Sequence, residues 1–268
     1  HLGRMGSLEA IAETKAELVD ALPESGVAIL NIDDERVRQM ASRAKCDVVF
    51  YGLDAAADIR ATDLESHGLE GISFTLHHRK RRDHVTAPLL GRHSVHMALA
   101  GFAVGFQLGL AFEEIVAGYQ QPNIQLRLLL VPAINGATLL DDTYNANPAS
   151  SLAALNLLEE LDARRKVAVF GDMLELGGFE HEGHRIVGDR ASQVVDALYV
   201  MGERARIIGE QAMQAMPSLP VVFLDDKPGL LDALRDGLRD GDLVLIKGSR
   251  GIELETVVSE LRNERDEE

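Results

Sequence analysis

The sequence lacks several features that define common protein classes. Its 268 residues contain no tryptophan and one cysteine, and aromatic residues make up 4% of the chain. The single cysteine, Cys46, excludes an internal disulfide bond and is typical of a reducing compartment. No apolar run approaches the ~20 residues that a membrane-spanning helix needs, and no signal-peptide pattern opens the chain. We therefore expect a cytoplasmic protein without a membrane span.

Basic residues are also scarce. The chain has 27 lysines and arginines against 43 aspartates and glutamates, so its formal net charge is −16. This excess argues against a nucleic acid or an anionic membrane surface as the partner. One basic run, residues 77–84, interrupts the acidic chain, but no aromatic residue that could stack on bases is interleaved with it. Because alternating segments flank this run, we predict the solvated turn of a β-hairpin there.

Two phosphate-binding motifs are absent from these residues. No Gly-x-x-x-x-Gly-Lys-[Ser/Thr] occurs, so the loop that cradles the phosphates of ATP is missing. No Gly-x-Gly-x-x-Gly follows a predicted strand, which argues against an NAD-dependent dehydrogenase. The chain begins with His1 and enters a helical pattern almost at once. We therefore expect it to be part of a longer protein.

Apolar strands and amphipathic helices alternate along the chain, which predicts α/β domains with parallel sheets. The polar, proline-containing stretch 120–123 is the best boundary candidate, so we predict domains at residues 1–122 and 123–268. The first begins with a helix that Ser7 caps. In the second, which we expect to be Rossmann-like, strands are predicted at residues 128–131, 138–140, 167–170, 197–201, 221–224 and 243–246.

Polar side chains follow three of these predicted strands. Residues 141–148 read Asp-Asp-Thr-Tyr-Asn-Ala-Asn-Pro, residues 171–177 read Gly-Asp-Met-Leu-Glu-Leu-Gly, and residues 247–250 read Lys-Gly-Ser-Arg. Because ligands bind at the carboxyl ends of strands in an open α/β sheet, we expect the three loops to meet at one binding edge. Arg250 and Lys247 suit a carboxylate ligand, with Arg better adapted to bidentate contact. The alternative for the first loop is a turn and helix cap, formed by Asn147 or Ser150.

In order and spacing, the three motifs resemble those of the C-terminal domain of the Mur ligases. The closest resemblance is to the branch that adds D-alanyl-D-alanine to UDP-N-acetylmuramoyl tripeptide. The front half resembles the end of the family's central domain: residues 1–7 resemble a segment whose His helps to hold Mg²⁺, and residues 91–100 resemble a helix start near the adenine. Ser94 and Met97 depart from this pattern, since the family usually has Asn at both positions. The resemblance implies the remnant of a doubly wound central ATPase domain followed by a Rossmann-like C-terminal domain.

The resemblance also implies an activity and its residues. The intact enzyme would be an ATP- and Mg²⁺-dependent ligase, monomeric, that activates the terminal carboxylate of the tripeptide as an acyl phosphate for attack by the dipeptide amine. His1 and a carbamylated Lys15 would bind the metal. The implied nucleotide contacts come from Arg127, Asp142, Asn31, Asp33 and His93. The implied contacts to D-alanyl-D-alanine come from Asn145, Asn147, Lys247, Ser249 and Arg250.

Lys15 lies on the predicted apolar face of the first helix, four residues after Ile11 and three before Leu18. Partial burial there would favour a neutral amine, which can add CO₂. The alternative is a lysine whose stem covers apolar surface while its amine reaches water.

Two other functions are compatible with the architecture. One is another amide ligase of the same superfamily, such as a folylpolyglutamate synthase. The motif Tyr-Asn-Ala-Asn-Pro argues against it, because those relatives differ at these positions. The other is a non-enzymatic module that binds a nucleotide or a partner, which would not need His1 and Lys15. Because no P-loop is present, we expect that this chain alone does not catalyse ligation.

Overall fold

A computed structural model describes residues 2–121 and 128–262, which form two compact units. We call them the first unit, up to residue 121, and the second unit, from residue 128. The predicted boundary between residues 122 and 123 lies outside the described residues. The α/β class is confirmed, since each unit has a sheet flanked by helices.

The first unit contains five strands and five helices in its described residues. Its elements are α1 (Leu2–Met5), α2 (Leu8–Asp20), β1 (Val27–Asn31), α3 (Glu35–Gln39), β2 (Asp47–Gly52), β3 (Ile59–Ser66), β4 (Ile72–His78), β5 (Arg81–Ala87), α4 (Val95–Gln107) and α5 (Phe112–Tyr119). Ser7 caps α2 as predicted, because its hydroxyl accepts the backbone N–H of Ala10 at 3.0 Å.

The sheet of the first unit has the order β1-β2-β3-β4-β5. Strands β1 to β3 are parallel, whereas β3, β4 and β5 form an antiparallel meander, so the sheet is mixed. Its core includes Phe74 of β4 and Phe102 of α4, whose rings meet edge to face with centroids 6.5 Å apart. On the other face Ala16 and Val19 of α2 pack near Leu30 of β1.

The basic run of the first unit lies mostly within strands. The predicted hairpin is confirmed, with Phe74 opposite Val85. Its turn, however, contains only Arg79 and Lys80. The prediction of a solvated turn is therefore confirmed for Arg79 and Lys80, which are exposed, whereas the rest of the run lies in β4 and β5, where the His78 ring stacks on Phe106 with centroids 4.2 Å apart.

From its second strand onward, the second unit alternates strands and helices in its described part. Its elements are β6 (Leu129–Pro132), β7 (Thr138–Asp142), α6 (Pro148–Glu160), β8 (Arg165–Gly171), α7 (Glu180–Val194), β9 (Ala197–Met201), α8 (Arg206–Ala215), β10 (Val221–Leu224), α9 (Lys227–Gly237), β11 (Asp242–Lys247) and α10 (Glu255–Leu261). All six predicted strands are present, and no helix in the described ranges is long and apolar enough to cross a membrane.

The sheet of the second unit has the order β10-β9-β8-β11-β7-β6, and only the edge strand β6 is antiparallel. Val167 and Val169 of β8 pack in a core shared with α9 and α10. Because side chains alternate along a strand, Ala168 and Phe170 are buried on the opposite face, where α6, α7 and α8 follow one another. Strand β11 lies between β7 and β8, so the loops that follow these three strands are neighbours.

Candidate functional site

The three predicted polar loops meet at one edge of the second unit's sheet. Lys247, the last residue of β11, is the register partner of Asp142 on β7 and of Phe170 on β8. The loops after β7, β11 and β8 therefore start side by side at the carboxyl ends of adjacent parallel strands. This is the position at which open α/β sheets bind ligands.

A buried ion pair lies at the centre of this edge. The Lys247 amine donates to Oδ2 of Asp142 at 2.5 Å and to the backbone carbonyl of Asn145 at 2.8 Å. Lys247 is 1% exposed and Asp142 is 8% exposed. A buried charge is tolerated when an opposite charge and hydrogen bonds satisfy it, as they do here. The pair joins the first and third loops below the surface.

Ser249 joins all three loops. Its hydroxyl accepts the backbone N–H of Leu174 at 2.8 Å and donates to the carbonyl of Ala146 at 3.3 Å. Its own N–H donates to the carbonyl of Asp172 at 3.0 Å. Ser249 is buried, so its hydroxyl connects protein groups and does not reach the surface.

Asp172, which begins the second loop, fixes the start of α8. Its Oδ1 accepts the N–H of Ala205 at 2.7 Å, and Arg204 lies 3.5 Å from Oδ2. Arg204 also pairs with Glu180 at 2.7 Å. Gly202 has a positive φ of 110°, and a Cβ there would lie 2.4 Å from the Asp172 carboxylate. Only a glycine at position 202 leaves room for the Asp172 carboxylate.

His184 of α7 holds the second loop from inside the unit. Its Nε2 accepts the N–H of Met173 at 3.1 Å, and its Nδ1 lies 2.7 Å from the carbonyl of Glu180. The ring is 0% exposed. Burial lowers the pKa of His184, although the hydrogen bond to Glu180 and the charge of Asp172 act in the opposite direction. The neutral ring is thus the form that this position favours.

Four of the polar side chains face solvent above this buried framework. Tyr144 is 52% exposed, and Asn145, Asn147 and Arg250 are also exposed. The Arg250 guanidinium lies over the Tyr144 ring, 5.2 Å from its centroid, as in a cation–π contact. Both residues line a cavity of about 180 Å³, together with Leu129, Asp141, Asp142, Thr143 and Glu255.

Asn147 caps helix α6, as the alternative interpretation predicted. Its Oδ1 accepts the N–H of Ser150 at 2.8 Å, and the Ser150 hydroxyl accepts the N–H of Asn147 at 3.1 Å. Pro148 follows at the first helical position. The cap uses the amide oxygen of Asn147 and leaves its role as a dipeptide contact a prediction.

In the first unit, Asn31 and Asp33 organise the loops after β1 and β2. Oδ1 of Asn31 accepts the N–H of Asp33 at 3.0 Å. The Asp33 carboxylate accepts the N–H groups of Leu53 and Asp54, at 2.7 and 3.0 Å, and pairs with His96 at 2.7 Å. Burial raises the pKa of Asp33, but these hydrogen bonds outweigh it and lower the pKa overall. Asp33 therefore shapes a loop, and its contact with nucleotide stays a prediction.

The remaining predicted residues of the first unit differ in their exposure. His93 is exposed, whereas Ser94 is buried with its hydroxyl bonded to the carbonyl of Leu90 at 2.6 Å. Met97 is 60% exposed. Lys15 is exposed as well, so the expectation of partial burial is wrong. The reason is helical phase, because the buried stripe of α2 runs through Ala16 and Val19.

Two predicted residues, His1 and Arg127, lie outside the described residues. Within residues 2–121 and 128–262, no group of three or more His, Cys, Asp and Glu side chains is arranged to hold a metal ion. The metal ligands implied by the resemblance, His1 and a carbamylated Lys15, are not of these residue types or lie outside the described residues, so the metal site stays a prediction.

Several residues of the two sites were not among the predicted ligands. Asp172 belongs to the second motif, and His184 follows it. The signal that could have found them is a polar residue close to the carboxyl end of a predicted strand. His96, which pairs with Asp33, gave no such signal, because the two residues are 63 positions apart. Tyr144 was part of the first motif, but its pairing with Arg250 depends on the sheet order.

The second unit is thus a Rossmann-like α/β domain in which three adjacent strand-end loops meet at the carboxyl edge of the sheet. Comparison with known families matches residues 1–105 to the Mur ligase middle domain. Residues 126–250 match the "Mur ligase, glutamate ligase domain". The chain belongs to the Mur ligase family.

Curated relatives cover almost the whole chain. It is 35% identical over 264 residues to the UDP-N-acetylmuramoyl-tripeptide–D-alanyl-D-alanine ligase of Bacillus subtilis strain 168, which covers 97% of this chain and 56% of that protein. The ligase of the same name from Escherichia coli K12 is 33% identical over 270 residues, or 98% of this chain and 58% of that protein. The chain therefore spans a little over half the length of these relatives.

A solved structure agrees with the same family. MurF from Acinetobacter baumannii superposes with a TM-score of 0.81 and 28% sequence identity, over 97% of this chain and 57% of that protein. The superposed residues include both units.

Proposed function

We propose that this chain contributes to an ATP-dependent ligase that adds D-alanyl-D-alanine to UDP-N-acetylmuramoyl tripeptide, a step of peptidoglycan precursor synthesis. The relatives that cover nearly all of the chain carry this name. The structural observation that supports the proposal is the exposed Arg250–Tyr144 pair above the buried Lys247–Asp142 pair. Such an edge offers an exposed cation for the carboxylate of a small ligand.

We assign the dipeptide-binding roles according to which side chains of the three loops are exposed to solvent. Arg250 binds the dipeptide carboxylate, because a guanidinium can donate two parallel hydrogen bonds to it. The Tyr144 ring holds the guanidinium and offers an apolar surface to a methyl group. Asn145 is exposed beside them and supplies an amide. Lys247 and Ser249 are buried, so we propose that they act on the dipeptide indirectly, by fixing the loops.

The proposed chemistry joins a carboxylate to an amine. The terminal carboxylate of the tripeptide takes the γ-phosphoryl group of ATP and releases ADP. The neutral dipeptide amine then attacks the carbonyl carbon of this acyl phosphate, the nitrogen loses a proton, and phosphate leaves from the tetrahedral intermediate. The protein's task is to position a neutral amine near the acyl carbon. By holding the dipeptide at its carboxylate end, Arg250 leaves the amine available for the attack.

The nucleotide contacts are proposed from the family resemblance. Asp142 would accept a ribose hydroxyl, which is compatible with its bond to Lys247 because a carboxylate can accept about four hydrogen bonds. His93 is exposed and Asn31 lies at the end of β1. Arg127 and His1 complete the proposal from outside the described residues. His1 and a carbamylated Lys15 would hold Mg²⁺, which would neutralise charge on the transferred phosphoryl group.

Binding of the dipeptide is the direct test. Isothermal titration calorimetry should show saturable binding of D-alanyl-D-alanine, weaker binding of L-alanyl-L-alanine, and at least tenfold weaker binding of the D-dipeptide amide, which lacks the carboxylate. Arg250→Gln should weaken D-alanyl-D-alanine at least tenfold. Arg164→Gln, at another exposed arginine of the second unit, is the matched control and should change nothing. Equal affinity for the dipeptide and its amide would contradict the proposal.

Turnover and assembly are tested separately. With ATP, Mg²⁺, tripeptide and dipeptide, we expect no ligated product from this chain alone, because its residues include no P-loop. Product formation, detected by mass spectrometry, would contradict that expectation. We also propose that the chain is monomeric and acts in the cytoplasm. Light scattering of the purified chain should then give a mass near 29.2 kDa.

A further inference from the structure

The loop after β8, residues 172–176, is held by two buried side chains that do not reach the surface. His184 accepts the N–H of Met173 at 3.1 Å, and Ser249 accepts the N–H of Leu174 at 2.8 Å. His184 comes from α7 and Ser249 from the loop after β11. Two consecutive backbone donors therefore depend on side chains from different parts of the unit.

The bonding pattern fixes the protonation of both side chains. A carbonyl oxygen only accepts, so Nδ1 of His184 must donate to Glu180. Nε2 then carries the lone pair that accepts the N–H of Met173, which requires a neutral ring. The Ser249 hydroxyl has one proton, and it goes to the carbonyl of Ala146 at 3.3 Å. Each group is thus used as donor and acceptor at the same time.

We propose that His184 and Ser249 are positioning residues that lock the loops after β7 and β8 into the arrangement that binds ligand, a role that rests on the function proposed for this edge. Neither side chain touches the dipeptide. Ser249 reaches the first loop through Ala146, directly between Asn145 and Asn147. His184 acts one step further away, through Met173 and the loop that Ser249 also holds.

We call the two hydrogen bonds that His184 and Ser249 accept from the N–H groups of Met173 and Leu174 the lock. Its His184 bond breaks on acidification. A proton on Nε2 turns the acceptor of the Met173 N–H into a second donor, and the two N–H groups then repel each other. Asp172, Glu180 and Arg204 are the charged groups that act on the ring, the two carboxylates favouring its protonation and Arg204 opposing it. Burial has the largest effect and lowers the pKa of His184, so the lock holds at neutral pH.

Amide hydrogen exchange measured by NMR on the whole chain tests the lock without any ligand. His184→Ala should accelerate exchange at Met173 at least tenfold, and Ser249→Ala should do so at Leu174. His184→Gln offers an amide oxygen as acceptor and should restore slow exchange at Met173. In the native chain, exchange at Met173, corrected for its intrinsic pH dependence, should accelerate as His184 is protonated, whereas His184→Gln should lose this dependence. Val187→Ala, a fully buried change on the same helix, controls for general destabilisation.

Dipeptide titration then separates the lock from the proposed function. His184→Ala and Ser249→Ala should each weaken D-alanyl-D-alanine at least tenfold, and Val187→Ala should not. The lock is wrong if exchange at Met173 and Leu174 changes no more in these variants than in Val187→Ala. It is also overturned if exchange accelerates while affinity stays unchanged. If the native chain binds no dipeptide, the proposed function fails, and the exchange results still decide whether the lock exists.

Discussion

Lys247 and Asp142 are direct partners across the parallel strands β11 and β7, and the lysine amine donates to the carboxylate at 2.5 Å. The relationship places a buried charge pair where the first and third loops begin. Removing one partner leaves the other charge buried without its counter-charge. The pair therefore supports the geometry of the strand-end loops above it.

Lys247→Met should lower the free energy of unfolding by about 3–5 kcal/mol, because it leaves the Asp142 carboxylate buried without a cation. Urea denaturation followed by circular dichroism measures the change. Asp240→Asn removes a partner of the exposed Arg164–Asp240 pair and should cost less than about 1 kcal/mol. A loss below 1 kcal/mol in Lys247→Met would show that the pair does not support the fold.

Asn147 has an observed role as a helix cap and a predicted role as a dipeptide contact. Asn147→Ala removes both and should cost about 0.5–2 kcal/mol of stability. Asn147→Asp keeps the cap and should preserve the midpoint of thermal unfolding. If Asn147 also contacts the dipeptide through its amide N–H, calorimetry should show weaker binding in Asn147→Asp. Unchanged binding would leave the residue with the capping role alone.

Gly202 should tolerate no side chain, because its φ is positive and a Cβ would meet the Asp172 carboxylate at 2.4 Å. Gly202→Ala is expected to cost at least about 1–3 kcal/mol. Gly178→Ala is the matched control, since no atom lies within 4 Å of its Cβ position and its φ is not in the left-handed region. That change should be neutral or stabilise by up to about 1 kcal/mol. Equal thermal unfolding midpoints of the two variants would contradict the close approach at Gly202.

The local hydrophobic pattern predicted the positions of the strands in the second unit, but it could not predict which side chains pair with one another. Strands β9 and β10 coincide with the predicted ranges 197–201 and 221–224, because each is a continuous apolar run. Strand β3 was missed, since an irregularity between Thr62 and Glu65 shifts its alternation by one residue.

The sequence also could not predict which polar side chains are buried. The three loops could be placed at one edge, because parallel strands end on the same side. Lys247 could not be recognised as buried, because its partner lies 105 residues away and becomes adjacent only when β11 inserts between β7 and β8. Lys15 was assigned to the apolar face although the buried stripe of α2 passes through Ala16 and Val19. A one-residue difference in helical phase decides such an assignment.

Asp33 should make stability depend on pH in the acid range. Its pKa is lower in the folded chain than its ordinary value of 3.8, because hydrogen bonds from Leu53, His96 and Asp54 outweigh the effect of burial. Its contribution is therefore complete above pH ~4 and is lost as the pH falls through the folded pKa. Asp33→Asn should cost about 1–3 kcal/mol at pH 7. The difference from the native chain should shrink below pH 4 in urea titrations, and a constant difference would argue against an ionised Asp33.

Lys15 tests the part of the metal site that the family resemblance predicts. The side chain is exposed, so the family resemblance alone supports a carbamate at this position. We therefore expect the carbamate to depend on a cation that binds its negative charge. With ¹³C-labelled bicarbonate, NMR should show one carbamate signal that grows with added Mg²⁺, disappears in Lys15→Arg and persists in Lys80→Arg, a control at another exposed lysine. If the signal is absent from the native chain with Mg²⁺, or survives in Lys15→Arg, Lys15 is not the carbamylated residue of this chain.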